Sequence, residues 1–184
     1  MNSCASATTV AVMSDHAFEP SADELLANNE RYVTAHPMPG LALEPTRHLA
    51  VVACMDSRMD VFAMLGLDQG EAHVIRNAGG VVTDDVIRSL VVSQRLLNTR
   101  EILLLHHTDC GLQKVTGETL KDDLEAETGV RPSWSLEAFK DPFQDVRQSI
   151  RRLRLNPFLL HKDHIRGFVF QVSDGRLVEA TLED

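Results

Sequence analysis

The sequence predicts an α/β fold: a mostly parallel central sheet flanked by helices, with an antiparallel edge strand near the C-terminus. Three observations carry this. Short apolar runs bounded by polar residues recur at 48–54, 72–76 and 101–105, and runs without polar alternation are what strands buried on both faces look like. Stretches with helical apolar period separate them, and strand–helix alternation builds parallel sheets. Near the C-terminus, two strand-like runs flank Ser173-Asp174-Gly175, which reads as a hairpin turn.

Each element has a local reason. Residues 1–20 are small and polar without sustained periodicity. A disordered tail is expected there, leaving 21–184 as a single domain. A helix begins at Ser21, with Glu24 completing a capping box. It runs through Leu25, Leu26, Tyr32 and Val33 to about Ala35, where Pro37, Pro39 and Gly40 stop it. His48–Cys54 is the first buried strand, and Met59–Leu65 a short helix closed by Gly66. Ala72–Arg76 is the second strand, followed by the tight turn Asn77-Ala78-Gly79-Gly80. Thr83 caps an amphipathic helix over Asp84–Asn98, and Asp84 and Asp85 suit the positive end of its dipole. Glu101–Leu105 is the third strand. Residues 112–140 are less regular. Asp141-Pro142 opens a helix that buries Val146, Ile150 and Leu153. Ile165–Val172 and Arg176–Thr181 form the hairpin.

Composition bounds the function. With 184 residues, 43% apolar and 24% charged, the chain can bury a core of its own. A net charge of −9 gives no basic field for nucleic acid or an anionic membrane. No apolar run approaches the roughly 18–20 residues that span a bilayer. Met1–Val12 carries no Lys or Arg, so no secretory signal is expected. Three well-separated cysteines read as ligands, nucleophiles or buried thiols in a reducing compartment, and a cytoplasmic protein is expected.

Two clusters carry chemistry, and both follow a predicted strand: Cys54-Met55-Asp56-Ser57-Arg58 and His106-His107-Thr108-Asp109-Cys110-Gly111. Sites in open α/β sheets form beyond the carboxyl ends of the strands. If the two strands are neighbours, both clusters meet in one crevice. Thiolates with an imidazole favour zinc. Cys54, His107 and Cys110 would leave a fourth position for water, as in a catalytic site. Spacing leaves two alternatives open: a closed zinc site with His106 or Asp109 as fourth ligand, or buried thiols without metal. Asp56 and Arg58, two apart in an extended segment, face the same way. A carboxylate held by a guanidinium can orient a metal-bound water; the alternative is a plain surface ion pair.

Cys54-x-Asp56-x-Arg58, His107-x-x-Cys110 and the intervening Arg76-Asn77-Ala78-Gly79 turn resemble the signature of the β-class carbonic anhydrases. The resemblance covers roughly Leu49–Gly111 and is strongest to the short bacterial and archaeal branch. It departs at His106, where many relatives carry Gly. It implies one zinc ion per chain, held by Cys54, His107 and Cys110, with water or, in a closed state, Asp56 in the fourth position. In the open state Arg58 holds Asp56, which accepts a hydrogen bond from the water. The implied reaction is reversible hydration of carbon dioxide to bicarbonate by zinc-bound hydroxide. The same branch contains hydrolases of carbonyl sulfide and carbon disulfide, so the motif does not separate substrates. A non-catalytic zinc-stabilised binding module is the third reading, and Asp56 with Arg58 weighs against it.

Further expectations attach to this resemblance. Two thiolates should leave the bound water less acidic than three imidazoles would, favouring alkaline pH. His106 is either a proton relay or a side chain packed behind the ligands. The chain should form a homodimer or tetramer, with no nucleic-acid or membrane partner. Trp134 and Phe139 read as packing residues. Arg147, Arg151, Arg152 and Arg154 read as a solvated helix face. Cys4, in the tail, is not expected to be a ligand.

Overall fold

The computed structural model of the protein describes residues 19–36 and 40–182. Of the expected tail over 1–20, residues 1–18, with Cys4, lie outside the described residues, as do Pro37 and Pro39. The chain divides into two units, 1–40 and 41–184. In the first, helix α1 spans Ala22–Ala35, and Ser21 stands at its N-cap without a side-chain capping bond. The expected capping box is therefore not made. No residue of α1 is buried, and Leu25, Leu26, Tyr32 and Val33 are all exposed.

In the second unit, the chain runs through β1 (Leu49–Cys54), α2 (Val61–Leu65), β2 (Ala72–Asn77), a 3-10 turn over Ala78–Gly80, α3 (Asp84–Arg95) and β3 (Glu101–His107). A second 3-10 turn over Gly111–Gln113, α4 (Gly117–Thr128), α5 (Pro142–Leu155), β4 (His164–Phe170) and β5 (Leu177–Glu179) follow. The strands form one sheet in the order β2-β1-β3-β4-β5. β1 pairs in parallel with β2 and β3, β3 with β4 likewise, and β4 with β5 antiparallel. This is the sheet that the apolar runs predict.

All six residues of β1 are buried, as expected of a strand covered on both faces. On one face Ala50, Val52, Ile102 and Leu104 pack against Val86 and Leu90 of α3 and Val146, Ile150 and Leu153 of α5. On the other, Val51, Ala53 and Leu105 meet Met59, Leu112 and Phe139. A Cβ on Gly167 would collide with Val146, so glycine there lets α5 approach β4. The Thr83 side chain accepts the Val86 N–H, and that of Asp141 accepts the Phe143 N–H. Both caps stand where the sequence places them.

Several boundaries differ from the sequence expectation, the hairpin strands being shorter at their turn, and three of the differences have a clear physical reason. α2 starts at Val61, because Asp60 caps it by accepting from the Ala63 N–H. α3 stops at Arg95, and Asn98 turns the chain at φ 57°, a left-handed conformation that asparagine tolerates. β3 runs two residues beyond Leu105. Its pairing with β1 ends at Ala53 and Leu105, but its pairing with β4 continues to His107 and Phe170. In the irregular stretch, α4 has no buried residue. Arg131 braces it by pairing with Glu118, Asp122 and Glu125.

Candidate metal centre

Because β1 and β3 are adjacent and parallel, both clusters arrive at the same end of the sheet. Alternation along β3 then sorts its last residues. Leu105 and His107 face one side, and His106 faces the other. Cys110 follows Asp109, which takes the left-handed conformation at φ 57° and turns the chain back over the strand end. The ligand atoms of Cys54, His107 and Cys110 all lie within 4.8 Å of one another, and all three residues are buried. They line a cavity of about 270 Å³ together with Asp56, Gly79 and Leu112.

The donor set fits a zinc ion. His107 Nδ1 lies 2.8 Å from the Thr108 carbonyl oxygen. A carbonyl only accepts, so Nδ1 carries a proton, and Nε2 is the nitrogen turned towards the sulfurs. That Nε2 lies 3.2 Å from Cys54 Sγ. Burial pushes the Cys54 thiol up, but its bond with His107 and the N–H groups of Asp56 and Gly79 outweigh this and lower it overall. Burial pushes the Cys110 thiol up; the Leu112 N–H offsets part of this, and the nearby Cys54 adds to it. Two cysteine sulfurs and an imidazole nitrogen gathered this closely, one thiol lowered from its ordinary value, suit a borderline-soft divalent cation.

Asp56 and Arg58 meet through a turn, not through an extended segment. The Arg58 N–H donates to Asp56 Oδ1 at 2.9 Å. The guanidinium grips the carboxylate as a fork, Nε to Oδ1 at 2.9 Å and Nη2 to Oδ2 at 2.8 Å. That grip holds the carboxyl well below the usual aspartate range. Asp56 Oδ2 is 3.6 Å from His107 Nε2. Arg58 Nη1 also reaches Asp109 at 3.1 Å, and Lys114 backs Asp109 at 2.7 Å. Asp109 thus serves the ion pairs around the pocket.

His106 is fully buried. Its Nε2 donates to Asp145 Oδ2 on α5 at 2.8 Å, and its ring centroid is 5.1 Å from that of Phe139. Its Nδ1 is buried without a hydrogen-bond partner among the described residues. Neither His106 nor Asp109, the two candidates for a closed fourth position, belongs to the ligand group. Of the aromatic pair, Phe139 packs in the core, whereas Trp134 is half exposed.

Two supporting residues escaped the sequence reading. Arg76 donates from Nε to the Cys54 carbonyl at 3.0 Å and from Nη2 to the Asp56 carbonyl at 2.7 Å. It fixes the backbone of both functional residues of the first cluster. Gly80, at φ 71°, lies so close to both strand ends that a Cβ would sit 2.7 Å from Cys54 N and 2.9 Å from Leu105 O. The Arg-Asn-Ala-Gly-Gly turn was visible in the sequence, but its backbone contacts were not.

The carbonic anhydrase family model matches residues 49–153, a span that starts with β1 and holds every residue of the site. The chain belongs to the β-carbonic anhydrase family. The resemblance carried by Cys54, Asp56, Arg58, His107 and Cys110 is borne out at the level of the family. Beta-carbonic anhydrase 1 of Mycobacterium bovis is 57% identical over 159 residues, covering 86% of this chain and 97% of that protein. A carbon disulfide hydrolase of Acidithiobacillus thiooxidans is 31% identical over 158 residues, covering 74% of this chain and 79% of its own. Among solved structures, the carbonic anhydrase from Streptococcus mutans superposes with a TM-score of 0.83 at 40% identity, covering 89% of this chain and 99% of that one. Relatives of this β-carbonic anhydrase chain thus carry names for two different substrates.

Proposed function

We propose that the chain is a zinc-dependent enzyme that hydrates carbon dioxide reversibly to bicarbonate, with one zinc ion held by Cys54, His107 and Cys110. The observation that carries this reading is the convergence of those three ligand atoms beside an Arg58-held Asp56. Zinc so held would lower the pKa of a water molecule from about 15.7 towards neutrality and supply hydroxide as nucleophile.

The chain's own residues do the remainder. Asp56, kept ionised by Arg58, offers a carboxylate oxygen on the pocket side as hydrogen-bond acceptor and so orients the attacking water. Arg58 keeps that carboxylate off the metal; released, Asp56 would take the fourth position and close the site. The bond from His107 Nδ1 to Thr108 fixes the imidazole, as partners of metal-bound histidines do. Met55, Ala78, Gly79, Gly111 and Leu112 line the rest of the cavity and suit a small uncharged substrate. His106 points away from the ligand trio and is bonded to Asp145, which favours its packing role over a proton relay.

Hydrolysis of carbonyl sulfide or carbon disulfide is the second reading, and the Acidithiobacillus relative supports carbon disulfide as the substrate. Identity of 57% against 31% favours the anhydrase. A side-by-side assay of the zinc-loaded protein decides: carbon dioxide hydration by stopped flow, and hydrogen sulfide release from carbonyl sulfide and carbon disulfide. Hydration should dominate; faster sulfide release would reverse the assignment.

The same reading extends to assembly and setting. The exposed Leu25, Leu26, Tyr32 and Val33 of α1 support a homodimer or tetramer, which light scattering tests. Cys54 and Cys110 are free thiols, which suits a reducing, cytoplasmic setting. Among the described residues, no helix is long and apolar enough to cross a membrane.

A further inference from the structure

Cys54 and His107 end strands, and the sheet holds them. Cys110 has no strand behind it. It stands at the start of the second 3-10 turn, Gly111–Gln113, and Gln113 bonds back to it. The Gln113 backbone N–H donates to the Cys110 carbonyl oxygen at 3.1 Å and closes the turn. The Gln113 side-chain Oε1 accepts the Cys110 backbone N–H at 2.9 Å. The spacing and the returning bond are those of a capping box, with cysteine in the place of serine or threonine. The Leu112 N–H also serves the Cys110 sulfur.

The other half of the Gln113 amide faces elsewhere. Its Nε2 donates to the Lys140 carbonyl at 3.1 Å. Residues 114–139, which include α4, form an excursion that leaves the pocket after Gln113 and returns just before Lys140. Leu112 and Phe139 close over the same glycine at its two ends. A Cβ on Gly79, itself part of the pocket wall, would lie 2.7 Å from Leu112 and 3.2 Å from Phe139. One amide thus ties the backbone of a ligand residue to the far end of the excursion.

We propose that Gln113 is a positioning residue for the metal pocket: it sets the Cys110 sulfur for zinc and pins the base of the 114–139 excursion to the pocket wall. This rests on the reading of Cys54, His107 and Cys110 as zinc ligands. Without Gln113 the Cys110 N–H loses its acceptor and the turn loses its brace. The third ligand must then be ordered at the moment of metal binding. Partners behind metal ligands typically contribute about 10–100-fold to metal affinity.

The test compares the full-length wild type with Gln113→Met and Gln113→Glu. Zinc affinity is measured by competition with a chromophoric chelator, the ligand field by absorption of the cobalt-substituted forms, and the fold by circular dichroism. Gln113→Met fills the space and makes neither side-chain bond. It should bind zinc about 10–100-fold more weakly, with an altered cobalt spectrum and an unchanged fold. Gln113→Glu keeps the acceptor for Cys110 and loses the donor to Lys140. Its zinc affinity should lie closer to wild type, while amide exchange over 114–139 accelerates. Native zinc affinity and a native cobalt spectrum in a folded Gln113→Met would overturn the proposal. Should Gln113→Met not fold, Gln113→Glu decides alone: faster exchange over 114–139 supports the proposal and unchanged exchange overturns it. A wild-type chain that binds no zinc would overturn the ligand reading itself, a result distinct from wild-type binding that survives Gln113→Met.

Discussion

His106 and His107 are joined by one peptide bond and belong to different chemistry. His107 faces the cavity, with its Nε2 beside Cys54 Sγ and 3.6 Å from Asp56. His106 faces α5, donates to Asp145 and packs against Phe139. The residue type is the same, and both rings are buried. What separates them is the two-residue period of the strand, which holds because β3 stays paired with β4 through both positions. A strand ending at Leu105 would have left both histidines in a loop, free to share a metal. Pairing that extends two residues further assigns one to the site and one to the scaffold.

The largest expected effect lies on the cavity side. His107→Ala and Cys54→Ser should each lose stoichiometric zinc and essentially all carbon dioxide hydration, read by metal analysis and stopped flow. Full zinc occupancy in either variant would dissolve the contrast with His106.

Next comes Arg58→Ala. It should keep its zinc and lose on the order of 10²–10³ in turnover, because the freed Asp56 carboxylate competes for the fourth position. Absorption of the cobalt form should report carboxylate ligation. Near-native turnover would reduce Asp56 and Arg58 to a structural pair.

pH sharpens the comparison of the two thiols. Ligation needs thiolate, and burial holds the Cys110 thiol above its ordinary range whereas Cys54 lies below. A group with a raised pKa is the first to take up its proton as pH falls. Zinc affinity should therefore weaken steadily from alkaline towards neutral pH, with Cys110 as the limiting ligand. An affinity flat across that range would contradict this order.

On the scaffold side, effects move from activity to stability. His106→Leu should retain zinc and hydration near wild type, yet lose about 1–3 kcal/mol in urea unfolding, since the Asp145 carboxylate loses its buried donor. A large loss of turnover with stability intact would instead make His106 the proton relay.

The smallest effect is expected at the sheet edge. Arg166 grips Glu179 through two bonds of 2.8 and 2.7 Å and holds its carboxyl below the ordinary range. The folded pKa is depressed, so this contribution is present above the unfolded glutamate value and fades as pH falls through the folded one. Both partners are largely exposed. Arg166→Ala should accordingly cost a few tenths of a kcal/mol at neutral pH, measured by thermal unfolding, and nothing further at low pH.

Much of this was legible in the residues. Leu49–Cys54 reads as a doubly buried strand because it is one, and Thr83 and Asp141 announce the helices they cap. The ligands stand out because thiols and an imidazole follow two such strands. Apolar pattern reports burial, however, and not hydrogen-bond ladders. It therefore stops β3 at the first histidine, although the main chain continues in the sheet. It also misses α4, whose acidic residues are braced by Arg131 without burying any of them. By its pattern Arg152 reads as solvated with its neighbours, yet it donates to the Val82 carbonyl and to Asp84. Arg76 and Gln113 act through backbone groups of distant residues, which residue type does not encode. For Gln113 a signal existed, the Cys-x-x-Gln spacing of a capping box, disguised by cysteine in the capping position.

X-ray absorption at the zinc edge of the purified, zinc-loaded protein tests the Cys54–His107–Cys110 site most directly. One zinc per chain should appear, with two sulfur neighbours at about 2.3 Å and one imidazole nitrogen at about 2.0–2.1 Å, and a single light-atom position remaining. A shell of nitrogen and oxygen alone, or no stoichiometric zinc, would contradict it.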